Sequence, residues 1–390
     1  MSDDDALHHA PDHALSDALS DALSDASDLA RDRAPDPAAI YAHDAERYWA
    51  DDHPVLELIR ARGAAGSAPG ARVDGFKLGL AVEGGGMRGV TSAAMLVALD
   101  DLGLRGVFDA VYSSSSGSIN AAYFFAGGDC WYPLTIYFDD LATTKFVDMR
   151  NMFNRRPMLN LDYAFDEVLE TIKPLDFEKV LKGPTEFHVT ISLVDSLTAI
   201  GPHEFESRED LKSALKASCW MPVAVPGTGM FRGQRALDGG VLTAHPHLLA
   251  MKDGCTHVLS LSTKPIKPPP SHLAPGRRFS VAYLERVKRG LGRAYAASQV
   301  EYRKQRRQLQ QWMTEPGDGP KVLDLAPLPW MREVGNQTRD RDALVTAARE
   351  AHAVMAAAIQ GVPVAEIRAG SFRSVPRIVT VRTADGKRVS

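Results

Sequence analysis

The chain has 390 residues, of which 45% are hydrophobic and 24% are charged, and its formal net charge is −4. This balance is typical of a globular protein and gives no general argument for nucleic-acid binding, since any basic surface would have to be local. The three cysteines lack the spacing of a zinc site or a disulfide framework, which favours a reducing compartment. The start of the chain lacks the order of a secretory signal, and no apolar run reaches the length of about 18 residues that a membrane span needs. We therefore expect a cytoplasmic protein.

The first part of the chain differs in composition from the rest. Residues 1–37 are rich in Asp, Ala, Ser and His and contain an imperfect Leu-Ser-Asp-Ala repeat. Few large apolar groups are available there to offset the entropy of ordering, so this segment is predicted to be a disordered, low-complexity tail. A helix over Ala39–Arg62 and a Gly/Ala/Pro linker over Gly63–Arg72 are expected to follow, giving an N-terminal segment of residues 38–72.

A regular alternation of strand and helix patterns begins near residue 73. Residues 76–82 read as a buried strand, followed by a glycine loop and a helical pattern from Val90 to Leu102. Residues 108–112 form a second strand pattern, which runs into a serine-rich turn and another helix. This rhythm predicts a parallel sheet with crossover helices. Further elements are expected as strands at 186–194, 256–262 and 321–325, a long basic helix at 281–313 and a last helix at 344–359.

The loop Gly84-Gly85-Gly86-Met87-Arg88-Gly89 follows the first strand and opens a helix. Such a turn collects backbone N–H groups at the positive end of a helix dipole and therefore suits an anion. One interpretation is a dinucleotide pyrophosphate, because the loop satisfies G-x-G-x-x-G, and this predicts an oxidoreductase. That interpretation expects a carboxylate at the end of the second strand, whereas Asp109 lies at its beginning. The other interpretation is the transient oxyanion of acyl transfer.

Two later turns carry candidate catalytic residues. In Ser113-Ser114-Ser115-Ser116-Gly117, the small residues two places either side of Ser115 match a nucleophile elbow, although Ser113 stands where glycine is usual. In Asp238-Gly239-Gly240, a carboxylate stands at a strand end, where it can act as the base that a serine nucleophile needs.

The glycine loop, the serine elbow and the Asp-Gly-Gly turn, in this order, resemble the patatin-like phospholipase family over Lys77–Ser262. The resemblance implies a three-layer α/β/α sandwich with a mainly parallel central sheet. It also implies hydrolysis of fatty-acyl esters of lipids through an acyl-enzyme, with no cofactor and no metal. The implied site has Ser115 and Asp238 as a catalytic dyad, Gly84, Gly85 and Gly86 as the oxyanion hole, and Arg88, Gly89, Gly117 and Gly239 as supporting motif residues.

Several alternatives remain open from the sequence. His245 or His247 could serve as a conventional base in a Ser–His–Asp arrangement, although a structural role is favoured. The altered elbow also leaves room for a non-catalytic lipid-binding relative. The basic helix 281–313 is either a solvated face, which is favoured, or a peripheral contact with anionic lipid headgroups. We expect residues 73–330 to form the catalytic domain and residues 331–390 a C-terminal helix and tail.

Overall fold

The computed structural model describes residues 47–153, 156–267 and 275–374 and two short strands near the C-terminus. The predicted tail lies outside the described residues, as do the first residues of the predicted helix Ala39–Arg62. Among the described residues of that range, 47–53 are not helical and the helix begins at Pro54, so the prediction is wrong for residues 47–53. Residues before a proline avoid the helical region, and His53 is extended and caps the helix by accepting the Val55 N–H at 3.2 Å.

The helices are numbered in chain order. They are α1 Pro54–Ala64, α2 Val90–Asp101, α3 Ser116–Ala126, α4 Trp131–Leu134, α5 Phe177–Lys182, α6 Arg208–Ser218, α7 His247–Lys252, α8 Pro275–Val287, α9 Leu291–Trp312, α10 Arg341–Gln360 and α11 Val364–Ala369. Two π-helical segments, Ile136–Asp140 and Tyr163–Ile172, lie between α4 and α5.

The strands of the main sheet are β1 Leu78–Val82, β2 Ala110–Ser114, β3 Glu186–Leu193, β4 Thr198–Ile200, β5 Gly229–Phe231, β6 Gln234–Asp238, β7 His257–Leu261 and β8 Lys321–Leu325. Their order is β5-β6-β3-β2-β1-β7-β8, and β4 also pairs with β3. The pairs among β3, β2, β1, β7 and β8 are parallel, whereas β4, β5 and β6 pair antiparallel. The predicted α/β fold with a mainly parallel sheet is confirmed. Two further short strands, β9 Val381–Arg382 and β10 Arg388–Val389, pair with each other.

Alternating side chains of the central strands face two separate hydrophobic clusters, because successive strand residues point to opposite faces of a sheet. Leu80 and Val82 of β1 lie in a cluster that includes residues of α2, α3 and α10. Ala81, between them, lies in a cluster with Ala250 of α7 and Leu309 of α9. Helices therefore cover both faces, which gives the three layers expected from the sequence.

The basic segment 281–313 was predicted as one helix, and the structure corrects this. Helices α8 and α9 are separated at Gly290, whose φ of +89° is a left-handed conformation. The Glu285 carboxylate holds the break by accepting the N–H groups of Gly290 and Gly292. Arg306 is buried and bonds to Asp324 at 2.9 Å, so it does not belong to a solvated basic face. In the described part of the chain, no helix is both long enough and apolar enough to cross a membrane.

Helix α10 contains the predicted helix 344–359 and begins earlier, because Asp340 accepts the N–H groups of Asp342 and Ala343. Its apolar face packs against α2 within the larger hydrophobic cluster. The described part of the C-terminal segment therefore shares a core with the sheet.

Candidate active site

Strand β3 brings together two turns that are far apart in the sequence. β2 pairs with the first part of β3, ending at Ser114 opposite Thr190. β6 pairs with the next residues of β3, ending at Asp238 opposite Ile191. Ser115, which follows β2, and Asp238, which ends β6, therefore lie on either side of β3 at almost the same level. Both residues line the same cleft.

Ser115 occupies a strained turn. Its φ of +54° and ψ of −138° lie in a region that non-glycine residues rarely adopt. The turn is held because the Ser115 N–H donates to Ser218 Oγ at 2.8 Å, and that hydroxyl donates to the carbonyl of Thr190 at 2.7 Å. Gly117 is needed for close packing, since a Cβ there would lie 2.5 Å from the Val82 carbonyl oxygen. These features are those of a nucleophile elbow.

Ser113, which stands where glycine is usual in this motif, is fully buried. Its hydroxyl donates to the His188 carbonyl of β3 at 2.9 Å. Because the hydroxyl is hydrogen-bonded within the sheet, the substitution leaves no buried polar atom unpaired. The elbow therefore accommodates Ser113 without loss of the turn.

Asp238 is a buried carboxylate without a cationic partner among the described residues. Oδ1 accepts the N–H of Gly240 at 2.8 Å, whereas Oδ2 is buried and has no hydrogen-bond partner of ordinary geometry among the described residues. Burial raises the pKa of Asp238 to about 6, while the hydroxyl of Ser115 and the N–H of Gly240 oppose the rise. A carboxyl with this pKa is suited to accept a proton near neutral pH.

The glycine loop supplies backbone donors beside the elbow. The N–H of Gly85 donates to Ser116 Oγ at 3.1 Å, but the N–H groups of Gly84 and Gly86 have no acceptor within the described part of the chain. A Cβ on Gly84 would lie 2.7 Å from the Cβ of Ser115, so the loop touches the elbow directly. Two unpaired donors near a candidate nucleophile are an arrangement that can stabilise an anion.

The chain is similar to known proteins in three respects. The sequence profile of the family described as "Patatin-like phospholipase" matches residues 80–251. The chain therefore contains a patatin-like phospholipase domain. The 1-acylglycerol-3-phosphate O-acyltransferase Pnpla3 of Mus musculus is 26% identical over 134 residues, which are 33% of this chain and 30% of that relative. The solved structure of VipD from Legionella pneumophila aligns over 74% of this chain and 67% of that chain, with 14% identity and a TM-score of 0.41.

Within the patatin-like domain, Arg88 belongs to a polar network behind the glycine loop. Its Nε donates to Thr263 Oγ1 at 3.2 Å, and Thr263 donates its N–H and hydroxyl to Glu83. Burial disfavours ionisation of Glu83, but Lys264 and other nearby cations hold the pKa of this carboxyl well below its usual range. Glu83 therefore stays charged and anchors the start of the loop.

The two histidines considered as bases lie elsewhere. His245 and His247 are buried, and their Nδ1 atoms are 3.0 Å apart. His245 Nε2 is 3.3 Å from Ser262 Oγ, and His247 Nε2 is 3.2 Å from Gln305 Oε1. Among the described residues neither ring is hydrogen-bonded to the candidate dyad. Burial lowers the pKa of both.

Asp109, the carboxylate that the dinucleotide interpretation would require, lies at the opposite edge of the sheet. It bonds to Arg62 and Arg72, each at 2.7 Å, and accepts the Leu78 N–H at 2.8 Å. A ribose bound at the glycine loop, beyond the carboxyl end of β1, could not reach it. This placement argues against the dinucleotide interpretation.

Two spaces meet at Ser115 in the patatin-like domain. An open cleft of about 620 Å³ has polar and apolar walls, and it includes Asn336 and Gln337 from beyond the predicted domain boundary at residue 330. A narrower, almost entirely apolar cavity extends from the other side of Ser115. Sequence analysis missed the residues of this cavity because they come from separate segments. They are Ile119, Ile136, Leu141, Phe146, Leu159, Leu161, Phe165 and Leu169.

Proposed function

We propose that this protein is a serine lipid acyl hydrolase that uses Ser115 as nucleophile and Asp238 as base. The observation that carries the proposal is the pairing of a strained serine with a buried carboxylate of raised pKa. Strain and an unpaired buried charge both cost stability and are concentrated at functional sites. The patatin-like phospholipase profile over residues 80–251 supports the same chemistry.

In the proposed mechanism, Asp238 takes the proton of Ser115 as the hydroxyl oxygen attacks the ester carbonyl carbon. The N–H groups of Gly84 and Gly86 stabilise the oxyanion that develops on the carbonyl oxygen. Asp238 then gives its proton to the leaving alcohol, and an acyl ester remains on Ser115. Water repeats the sequence, with Asp238 again as base, and releases the fatty acid.

The two spaces at Ser115 suggest how a lipid ester binds. The cavity lined by Ile119, Phe146 and Phe165 matches an acyl chain in polarity, but it is only about 40 Å³ in this structure and must widen to hold a long chain. Burial of each methylene contributes about 0.8 kcal/mol toward that widening. The alcohol part of the ester fits the cleft, whose wall includes Arg88 and Lys264. An apolar space on one side of Ser115 and a polar cleft on the other favour a lipid ester as substrate over a small water-soluble ester.

The acyl group on Ser115 can pass to water or to an alcohol. The curated relative is named as an acyltransferase that acts on 1-acylglycerol-3-phosphate. Hydrolysis and transfer share the same first step, so the dyad is required for both. Product analysis of a radiolabelled phospholipid, with and without added acylglycerol phosphate, distinguishes free fatty acid from a transferred acyl chain.

The first test is labelling of the purified full chain with a fluorophosphonate probe, followed by peptide mapping. We expect an adduct on Ser115 that is absent from Ser115→Ala and strongly reduced in Asp238→Asn. Ser113→Ala is the matched control, because it removes a neighbouring buried hydroxyl and should leave labelling intact.

Absence of an adduct on folded wild-type protein would contradict the nucleophile assignment. Lipid binding without turnover, unchanged by Ser115→Ala, would then favour the non-catalytic relative. Titratable NAD(P) binding would favour the dinucleotide interpretation.

A further inference from the structure

A second cluster of ionisable side chains lies at the amino-terminal edge of the parallel strands, opposite the edge that carries Ser115. Glu186 and His188 belong to the start of β3, and Asp253 follows α7. One ligand atom from each lies within 4.8 Å of the others. His188 Nε2 is 3.6 Å from Glu186 Oε2 and 3.9 Å from Asp253 Oδ2.

His188 is held in the orientation that a metal ligand needs. Its Nδ1 is 3.2 Å from the Gly201 carbonyl oxygen, which can only accept a hydrogen bond, so Nδ1 carries the hydrogen and Nε2 carries a lone pair. The residue is 6% exposed, and Nε2 is buried with no hydrogen-bond partner among the described residues. A ring whose Nδ1–H donates to a carbonyl while Nε2 faces carboxylates is the usual arrangement of a metal-binding histidine.

Contacts with neighbouring side chains fix the imidazole of His188 and the carboxylate of Asp253. The imidazole of His188 stacks on Tyr112 with centroids 4.4 Å apart and contacts the ring of His203 at 4.5 Å. The hydroxyl of Tyr112 donates to Asp253 Oδ2. The ring and one carboxylate are therefore oriented before any ion binds, which reduces the entropy cost of binding.

The present counter-ion of the carboxylates is Lys77. Its Nζ is 2.8 Å from Asp253 Oδ2 and 3.1 Å from Glu186 Oε2, the two oxygens that His188 faces. One ammonium against two carboxylates leaves one negative charge in excess. The Lys77 side chain is 31% exposed, so it can turn into solvent. Lys77 is therefore a displaceable competitor for a divalent cation.

We propose that Glu186, His188 and Asp253 bind a divalent transition-metal ion, best matched by Zn²⁺, which displaces the ammonium of Lys77. One imidazole nitrogen and two carboxylate oxygens suit zinc, whereas Ca²⁺ and Mg²⁺ prefer oxygen ligands alone. Tetrahedral ligands at about 2.1 Å from zinc are about 3.4 Å apart. The distances of 3.6 and 3.9 Å from His188 Nε2 are close to this value, and the two carboxylate oxygens lie within 4.8 Å of each other.

The site would join β3 to the loop between α7 and β7. It lies at the opposite edge of the sheet from the dyad, so it stabilises the fold and takes no part in ester cleavage. A ligand that binds only the folded state stabilises it by RT ln(1 + [L]/Kd), so the melting temperature rises with ligand concentration.

The test uses untagged, full-length protein stripped with a chelator. Titration with Zn²⁺ by calorimetry and with Co²⁺ by visible absorption should show one bound ion, and Zn²⁺ should raise the melting temperature. His188→Gln should abolish binding. His203→Gln is the matched control, because it removes the neighbouring imidazole from outside the ligand set and should retain binding.

Lys77→Met tests the competition and does not depend on the folding of His188→Gln. Removing the competitor should tighten Zn²⁺ binding about tenfold, since apparent affinity is reduced by the fraction of sites that are blocked. Failure of both wild type and Lys77→Met to bind Zn²⁺ would overturn the proposal. Undiminished binding by folded His188→Gln would also overturn it.

Discussion

The two edges of the parallel sheet use carboxylates in opposite ways. At the amino-terminal edge, Asp74 and Asp109 are paired with Arg62, and hydrogen bonds from that guanidinium hold the pKa of Asp74 at about 2. At the carboxyl-terminal edge, no cation of the described part of the chain pairs with Asp238, and burial raises its pKa to about 6. A paired carboxylate stabilises the fold, whereas an unpaired one costs stability and is available to accept a proton.

Among the described residues, a backbone N–H group is also hydrogen-bonded at the amino-terminal edge, whereas two are unpaired at the carboxyl-terminal edge. The N–H of Leu78, at the amino end of β1, donates to Asp109 at 2.8 Å. Just beyond the carboxyl end of that strand, the N–H groups of Gly84 and Gly86 have no acceptor among the described residues. The unpaired backbone donors of these two glycines therefore lie where the proposed chemistry occurs.

The largest expected effect is on activity. Asp238→Asn removes the only proposed base, and we expect it to lower kcat/KM for a p-nitrophenyl ester by about 10⁴-fold, in line with losses from other catalytic groups. Asp109→Asn is the control from the other edge, and it should leave the activity of folded protein nearly unchanged. Asp238→Asn with more than a tenth of wild-type activity would contradict the assigned role.

The next effect concerns stability. Arg62 is fully buried and bonds to Asp74, Asp109 and two backbone carbonyls. Arg62→Met leaves two carboxylates without this partner, and we expect the free energy of unfolding in urea to fall by about 3–5 kcal/mol. Arg60→Met is the control, since Arg60 bonds to three backbone carbonyls and, within the described ranges, to no carboxylate. Equal losses in the two variants would show that the buried ion pairs are not the cause.

The sequence could predict those features whose residues are contiguous in the chain. Ser115 and Asp238 stand in short turns whose small neighbours are contiguous, so local patterns identified both candidates. The strands were also predicted from short runs of contiguous residues. The break between α8 and α9 had a signal, Gly290 and Gly292, which the helical periodicity of the flanking residues obscured.

Features assembled from distant segments could not be predicted. The apolar cavity combines Ile119 with Phe146 and Phe165, which belong to ordinary hydrophobic runs. The cleft includes Asn336, whose carbonyl accepts the N–H of Met87 from a position far along the chain. Lys77 and Asp253 are 176 residues apart, and only the fold brings them together. No local pattern distinguishes such residues from core or surface residues.

A smaller effect should appear in the pH dependence of stability. The pKa of Asp238 in the folded protein, about 6, lies above the ordinary value of 3.8. The folded state therefore holds this proton more tightly than the unfolded chain, and the resulting stability is lost as pH rises through about 6. At about pH 8 the buried charge costs about 3 kcal/mol, because each pKa unit corresponds to about 1.4 kcal/mol.

Asp238→Asn should recover this free energy, so the variant should be about 3 kcal/mol more stable than wild type at about pH 8 and equally stable at about pH 4. Urea unfolding at the two pH values measures the difference. Ser115→Ala is the control, because it keeps the carboxylate and should show no such gain. A variant that is not stabilised at the higher pH would mean that the carboxylate is solvated or paired in solution.

The smallest expected effect is a change in the preference for long over short acyl chains. Ile119 lines the apolar cavity but not the cleft. Ile119→Phe fills part of the cavity, so kcat/KM for a palmitoyl ester should fall by about 10- to 100-fold, since pocket contacts of this kind contribute about 1–3 kcal/mol. A butyryl ester, which needs little of the cavity, should be cleaved almost as before.

Ile172→Phe is the matched control, because Ile172 is a partly buried isoleucine that packs against the same core and lines neither space at Ser115. A shift in chain-length preference with Ile119→Phe alone would assign the acyl chain to the cavity. An equal loss for both esters would instead indicate damage to the elbow, because α3, which carries Ile119, begins directly after Ser115. The ratio of the two rates therefore distinguishes a change in binding space from a change in the dyad.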